Sequence, residues 1–169
     1  MKLSVREMAV FALFSALMLL SKFVEILPNV HQIGALLVAL TVVYRQKALY
    51  PLYVYVLLNG IFAGFSTWWI PYLYVWTVLW AGVMLLPKNL SPAVGMVVYP
   101  LVCGLHGLLF GILYAPGQAL LFGMNWNQIV AWIAVGLPFD IWHAMGNVCA
   151  GLLIVPVVTL LRKLETIEK

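Results

Sequence analysis

Charge is the scarcest property of this sequence. Asp, Glu, Lys and Arg make up 8% of its 169 residues, where a soluble domain carries about 25%. Only two acids, Glu25 and Asp140, lie away from the termini. In their place stand hydrophobic residues, 65% of the chain, with a mean hydropathy of +1.07. This excludes a soluble domain of useful size and predicts an all-α integral membrane protein. A membrane β-barrel would alternate polar and apolar residues in short segments, whereas the apolar runs here are long. The length allows about six spans of roughly 20 residues, joined by short loops in one membrane domain.

Other absences narrow the function. No GxxxxGK[ST] phosphate loop is present, so ATP hydrolysis would need separate subunits. No G-x-S-x-G elbow and no zinc-protease pattern appears, and no pair of matching broken helices marks an inverted repeat. The two cysteines, Cys103 and Cys149, fall inside spans, where reduced packing roles suit them better than a disulfide. The net charge of +4 reflects the flanks of membrane helices and implies no nucleic acid. The start, MKLSVREMAVFALFSALMLL, carries Glu7 and no small-residue cleavage site. It reads as a retained first span. No cofactor is called for.

Six spans are expected, over residues 4–24, 32–44, 48–65, 69–86, 92–114 and 139–161. The second is short. Pro28 with Asn29 stops the first. Residues 115–137 are expected as a loop or re-entrant cover, because Gly136 and Pro138 interrupt the last apolar run and Pro lacks the N–H an interior helix position donates. Lys2, Arg6, Arg45, Lys47, Lys88, Arg162, Lys163 and Lys169 lie at the termini or the even-numbered connections, and Lys22 alone lies opposite. The positive-inside rule then puts both termini in the cytoplasm.

That orientation assigns depth to each polar residue. Asp140, His143 and Asn147 are spaced i, i+3, i+7, hence one helix face. An ionisable group in hydrocarbon costs roughly 2.5–3.5 kcal/mol or more, so a role is the default expectation. Asn59 and His106 fall at similar depth, with His31 and Gln32 in the first outer loop. The inner halves of the spans hold little beyond Ser, Thr and Tyr. A pocket open to the outside with a dry floor follows, not a continuous channel. Trp68, Trp69, Trp76 and Trp132 crowd the same side. They are either an interfacial belt or rings that stack on a flat ligand.

Each reading has a rival. The Asp140–His143–Asn147 face also suits interhelical hydrogen bonds that hold spans together. His31, His106, His143 and Asp140 offer transition-metal donors, although no HxH, HExxH or CxxC spacing accompanies them. An Asp140–His143 acid–base pair would make a small intramembrane enzyme, although no nucleophile sits beside it. Ala9, Ala12 and Ala16 give the first span a smooth strip for another helix, either a partner's or a neighbour's within the chain. Gly104, Gly107 and Gly111 form a similar strip, better suited to internal packing.

Three stretches carry a family resemblance: AVFALFSALM in the first span, residues 27–80 with their basic inner turn and aromatic corner, and GLPFDIWHAMGN before the end. Together they resemble the substrate-binding S components of energy-coupling factor (ECF) vitamin transporters. The resemblance implies a bacterial plasma-membrane protein that captures a water-soluble vitamin, vitamin precursor or similar micronutrient. It implies a transmembrane coupling subunit docking on the alanine strip, two cytoplasmic ATPases, and an S component that topples in the bilayer. Metal-specific members depend on a His at position two, where this chain has Lys2, which argues against metal uptake, the alternative; the aromatic corner favours a planar or ring-bearing organic ligand.

Overall fold

The computed structural model describes residues 2–23 and 31–166. Glu25, Pro28, Asn29 and Lys169 lie outside the described residues. Every regular element is helical, and among the described residues no strand forms: α1 (Val5–Phe23), α2 (Ile33–Tyr44), a 3₁₀ turn (Arg45–Ala48), α3 (Leu49–Ala63), α4 (Tyr72–Met84), α5 (Pro92–Leu108), α6 (Phe110–Phe122), α7 (Trp126–Gly151) and α8 (Ile154–Thr166). Three helical stretches, Ile33–Ala63, Pro92–Phe122 and Trp126–Gly151, are long and apolar enough to cross a bilayer.

The sequence sets several boundaries directly. Ser91 caps α5 by accepting from the Val94 N–H, with Pro92 at the first helical position, where no N–H is required. Asn125 and Gln128 close a reciprocal capping box at the start of α7. Gly123, in the left-handed region at φ 61°, terminates α6. Arg45 also has a positive φ, 53°, and caps α2 by donating its N–H to Thr41 O.

The helix α2, apolar on all sides, is the core of the bundle. Ile33, Leu37, Val38, Ala39 and Leu40 are fully buried, with α1, α4, α5, α7 and α8 packed around it. On α1, Phe11, Phe14, Ser15 and Met18 face inward. Ser15 Oγ donates within range of both Phe11 O (2.7 Å) and Pro51 O (3.0 Å), tying α1 to α3. The opposite face of α1 is uncovered, with Ala9, Ala12, Ala16, Leu13 and Leu17 all exposed. Internal packing of the alanine strip is therefore not what this chain does with it.

The closest helix seam joins α5–α6 to α7. A Cβ on Gly107 would stand 2.9 Å from Ala144 N and from Asn147 Nδ2, and one on Gly111 would strike Asp140 Oδ2. The glycine strip at 104, 107 and 111 is internal packing, as expected.

The expectation for residues 115–137 needs correction. They are helical apart from a turn at 123–125, completing α6 and forming the first half of α7. Gly136 and Pro138 lie inside α7 and start nothing. The capping box at Asn125 fixes the helix start upstream, and a helix in hydrocarbon keeps its remaining internal bonds around one proline. The expected last span, 139–161, is instead interrupted at Leu152–Leu153. Pro156 sits in the first turn of α8, where its missing N–H would have had no helical partner.

Charge separates the two ends of the bundle. Arg6 donates to Leu164 O, Lys47 pairs with Glu7, Arg45 donates to Met84 O and Arg162 to Lys88 O. These bonds gather the N-terminus, the 3₁₀ turn, the α4–α5 connection and α8 at one end. Lys22 sits at the other, donating to Tyr72 Oη at 3.2 Å and lying over the Trp68 ring at 5.0 Å. The outer surface carries many large apolar side chains, among them Leu13, Leu105, Leu120, Val135 and Leu152. Hydrocarbon solvates such a surface and water does not.

Candidate functional site

At the end opposite the basic cluster, three rows of residues run along the helices in steps of one or two turns. On α4 and the turn before it the row is Trp68, Tyr72, Trp76; on α5–α6 it is His106, Phe110, Tyr114. The third, on α7, is Trp132, Asp140, His143, Asn147. Residues spaced three or four apart share a helix face, so each row aims one way. His31, just before α2, fills the gap between them.

The rows meet in one aromatic nest. His143 lies edge-on to Phe110 at 4.8 Å between ring centres and to His31 at 5.1 Å. Trp76 contacts His106 at 5.4 Å, His31 at 5.6 Å, Phe110 at 5.7 Å and His143 at 6.5 Å. Outward from Phe110 the stack continues to Tyr114 at 5.8 Å, and Tyr114 lies nearly parallel to Trp132, 13° apart at 5.9 Å. Trp76, His143 and Asn147 are wholly buried, and Asp140, His31 and His106 are each 5% exposed.

Hydrogen bonding divides these residues into two groups. Asp140 Oδ2 accepts the Gly111 N–H at 3.1 Å, and Asn147 Nδ2 donates to Cys103 O at 3.1 Å. Both bonds cross the α5–α6/α7 seam. In the second group, His143 Nδ1 and Nε2, His31 Nδ1, His106 Nδ1, Trp76 Nε1 and Asn147 Oδ1 are buried with no hydrogen-bond partner among the described residues. A buried polar atom left unbonded costs about 1–3 kcal/mol, and native interiors hold few of them.

The free atoms have a definite polarity. His106 Nε2 lies 3.0 Å from Val75 O; a carbonyl only accepts, so that nitrogen carries the hydrogen and Nδ1 presents a lone pair. Asn147 Oδ1 is likewise an acceptor, and Trp76 Nε1–H is a donor. His31 is neutral: burial first, then the charge of Lys22, push its imidazole down to about 3. The buried centre of the nest thus presents uncharged donors and acceptors, and the one cation beside it among the described residues, Lys22, stands at the rim on Tyr72. Beside it, a cavity of about 470 Å³ reaches His31 and Gln32 past Trp142, Met145 and Cys149.

Not every expected residue joins. Asn59 is buried on α3 with both amide atoms unbonded, and no ring contact links it to the nest. Trp69 donates to Val56 O at 2.8 Å and packs on Phe65, which locks the α3–α4 corner. Trp68 touches Tyr72 and Lys22 at the rim. Gln32 is exposed. Conversely, Tyr72, Phe110 and Tyr114 belong to the nest without being among the expected site residues; the four-residue step from His106 marks Phe110 and Tyr114, and the same step from Trp68 and Trp76 marks Tyr72.

Two rival chemistries meet obstacles in the geometry. Asp140 bonds Gly111 while both His143 nitrogens are unbonded, so no Asp–His acid–base pair is formed. Among the described residues, no three His, Cys, Asp or Glu side chains are placed to hold one metal ion. The chain matches no protein-family model, no curated protein and no solved structure.

Proposed function

We propose that this chain is the substrate-binding subunit of an ECF-type importer, a multi-pass protein of the bacterial plasma membrane that captures a water-soluble, ring-bearing micronutrient. The observation that carries the reading is the nest itself, where six buried polar atoms on His31, Trp76, His106, His143 and Asn147 lack partners between aromatic faces. A flat heterocycle with N–H and carbonyl or ring-nitrogen edges would satisfy them together. Such a ligand is a vitamin, a vitamin precursor or a modified base, and it is neutral where it meets the nest.

In this reading Asp140 and Asn147 hold the wall and His143, His106, His31 and Trp76 contact ligand. Tyr114 and Trp132 form the outer stack. The exposed face of α1 around Ala9, Ala12 and Ala16 docks on a transmembrane coupling subunit, because small residues let helix backbones approach closely. Two cytoplasmic ATPases supply the energy. The basic end faces the cytoplasm, in keeping with the positive-inside rule, and the nest faces out.

The test is co-purification. Protein isolated in mild detergent from cells grown on rich medium is expected to carry one dominant small molecule, identified by mass spectrometry and lost from Trp76→Ala. Recovery of the wild-type protein without any bound metabolite, together with no melting-point response to a panel of vitamins and nucleobases, would overturn the reading.

A further inference from the structure

The basic end holds a second cavity, of about 460 Å³, that plays no part in the site above. Arg45, Lys88 and Arg162 line it with Glu165, and Val42 and Val43 form an apolar wall. These residues come from four places in the chain. Val42 and Val43 lie at the end of α2, Arg45 follows it, Lys88 lies between α4 and α5, and Arg162 and Glu165 lie on α8.

Each guanidinium is only partly engaged. Arg45 donates one nitrogen to Met84 O at 2.7 Å, and its Nε is buried without a partner. Arg162 donates one nitrogen to Lys88 O at 3.4 Å. A guanidinium has five N–H donors in a planar fork that matches the oxygens of phosphate. Glu165 is, among the described residues, the one carboxylate on the cavity wall, and its Oε1 accepts from Tyr44 Oη at 2.9 Å. Among the described residues none of the three cations forms an ion pair.

We infer that this cavity binds a phosphate group through Arg45, Lys88 and Arg162, and that the group belongs to an anionic phospholipid of the adjoining leaflet. The valine wall favours a lipid, because it gives the first acyl carbons an apolar surface beside the cations. Basic pockets between membrane helices on the cytoplasmic side bind such head groups. A bound phosphate would tie the ends of α2 and α8 to the α4–α5 connection. The inference stands apart from the proposed ligand site and uses none of its residues.

The test uses the full chain in phosphatidylcholine nanodiscs, with phosphatidylglycerol or inorganic phosphate added. Native mass spectrometry and melting temperature are the readouts. Phosphatidylglycerol is expected to stay bound through delipidation and to raise the melting temperature. Arg45 also holds Met84, so the exposed Arg162 and Lys88 carry the substitutions. Arg162→Gln and Lys88→Gln should each weaken retention about fivefold in protein that stays monodisperse. Protection by inorganic phosphate alone, sensitive to the same substitutions, assigns the same site to a soluble phosphate. Equal retention of phosphatidylcholine and phosphatidylglycerol, or retention unchanged in the double substitution, overturns it.

Discussion

The two ends of the bundle handle polar groups in opposite ways. At the basic end, side chains from the N-terminus, the 3₁₀ turn and α8 stay near the surface, and several carbonyls at element ends accept from arginine. Arg45 Nε is the exception there, buried without a partner, whereas at the other end a whole group of uncharged imidazole, indole and amide atoms is buried and left unbonded. Depth of burial shows which arrangement is the costlier. A half-exposed cation keeps water as a partner, whereas a buried nitrogen without a bond loses about 1–3 kcal/mol. The first arrangement stabilises helix ends; the second makes sense where a ligand completes it.

The largest expected effect breaks the seam on which that contrast depends. Gly107→Leu places a side chain against Ala144 N and Asn147 Nδ2 and should abolish monodisperse folding in detergent. Even Gly107→Ala should cost about 1–3 kcal/mol through overpacking. The control is Gly136→Leu, also on a helix, where nothing stands within 4 Å of the added carbon. Size-exclusion profiles of the two should differ sharply.

Next comes Trp76→Ala. It removes the largest fully buried side chain and should cost about 3–5 kcal/mol in stability along with ligand retention. Cooling and added lipid should rescue its fold but not its binding.

Docking is separable from both. If the exposed alanine face docks on a coupling subunit as proposed, Ala12→Trp with Ala16→Trp should abolish that association in pull-down while leaving ligand retention unchanged, because both positions are exposed on α1. Association that survives would place docking on another face.

A smaller effect concerns pH. His31 faces Lys22, His106, His143 and Trp76. Its folded value of about 3 lies below the ordinary 6.5, so the unfolded chain takes up the proton first. The contribution to stability is full above pH 6.5 and falls as the pH drops from there toward 3, by at most about 1.4 kcal/mol per unit. Melting temperature against pH is the measurement, and His31→Gln should flatten the acid limb.

The sequence makes part of this molecule plain. Long apolar runs and a low charge content point to helices, and the one-sided Lys and Arg point to a basic end. The α7 row is visible from the i, i+3, i+7 spacing of Asp140, His143 and Asn147, and the glycine strip at 104, 107 and 111 from its period. The role of each α7 residue is not visible. Asp140 drew attention as the isolated acid, yet it bonds the Gly111 N–H, and the uncharged His143 holds the unbonded centre. Which partner a side chain finds depends on the facing helix, and spacing within one helix does not report that.

The helical state of residues 115–122 and 126–137 is hidden for a different reason. Pro138 reads locally as a stop, but the capping box at Asn125–Gln128 and the apolar continuation on both sides outweigh the single lost bond. The break falls instead at Leu152–Leu153, two apolar residues with no signal of their own beyond Pro156 downstream. Phe110 and Tyr114 went unnoticed because aromatic residues are ordinary in membrane helices. Only their four-residue step from His106 sets them apart.

If the unbonded polar atoms of the nest serve a ligand, as proposed, they do not serve the fold. His143→Leu separates the two roles, because it replaces two unbonded nitrogens with an apolar side chain of similar size. The measurement is melting temperature with and without the ligand identified by co-purification, on wild type and His143→Leu. The substituted protein without ligand is expected to melt at or above the wild-type temperature, while affinity falls about tenfold to a hundredfold. Lower stability without ligand, combined with wild-type affinity, would show that His143 supports the fold and serves no ligand.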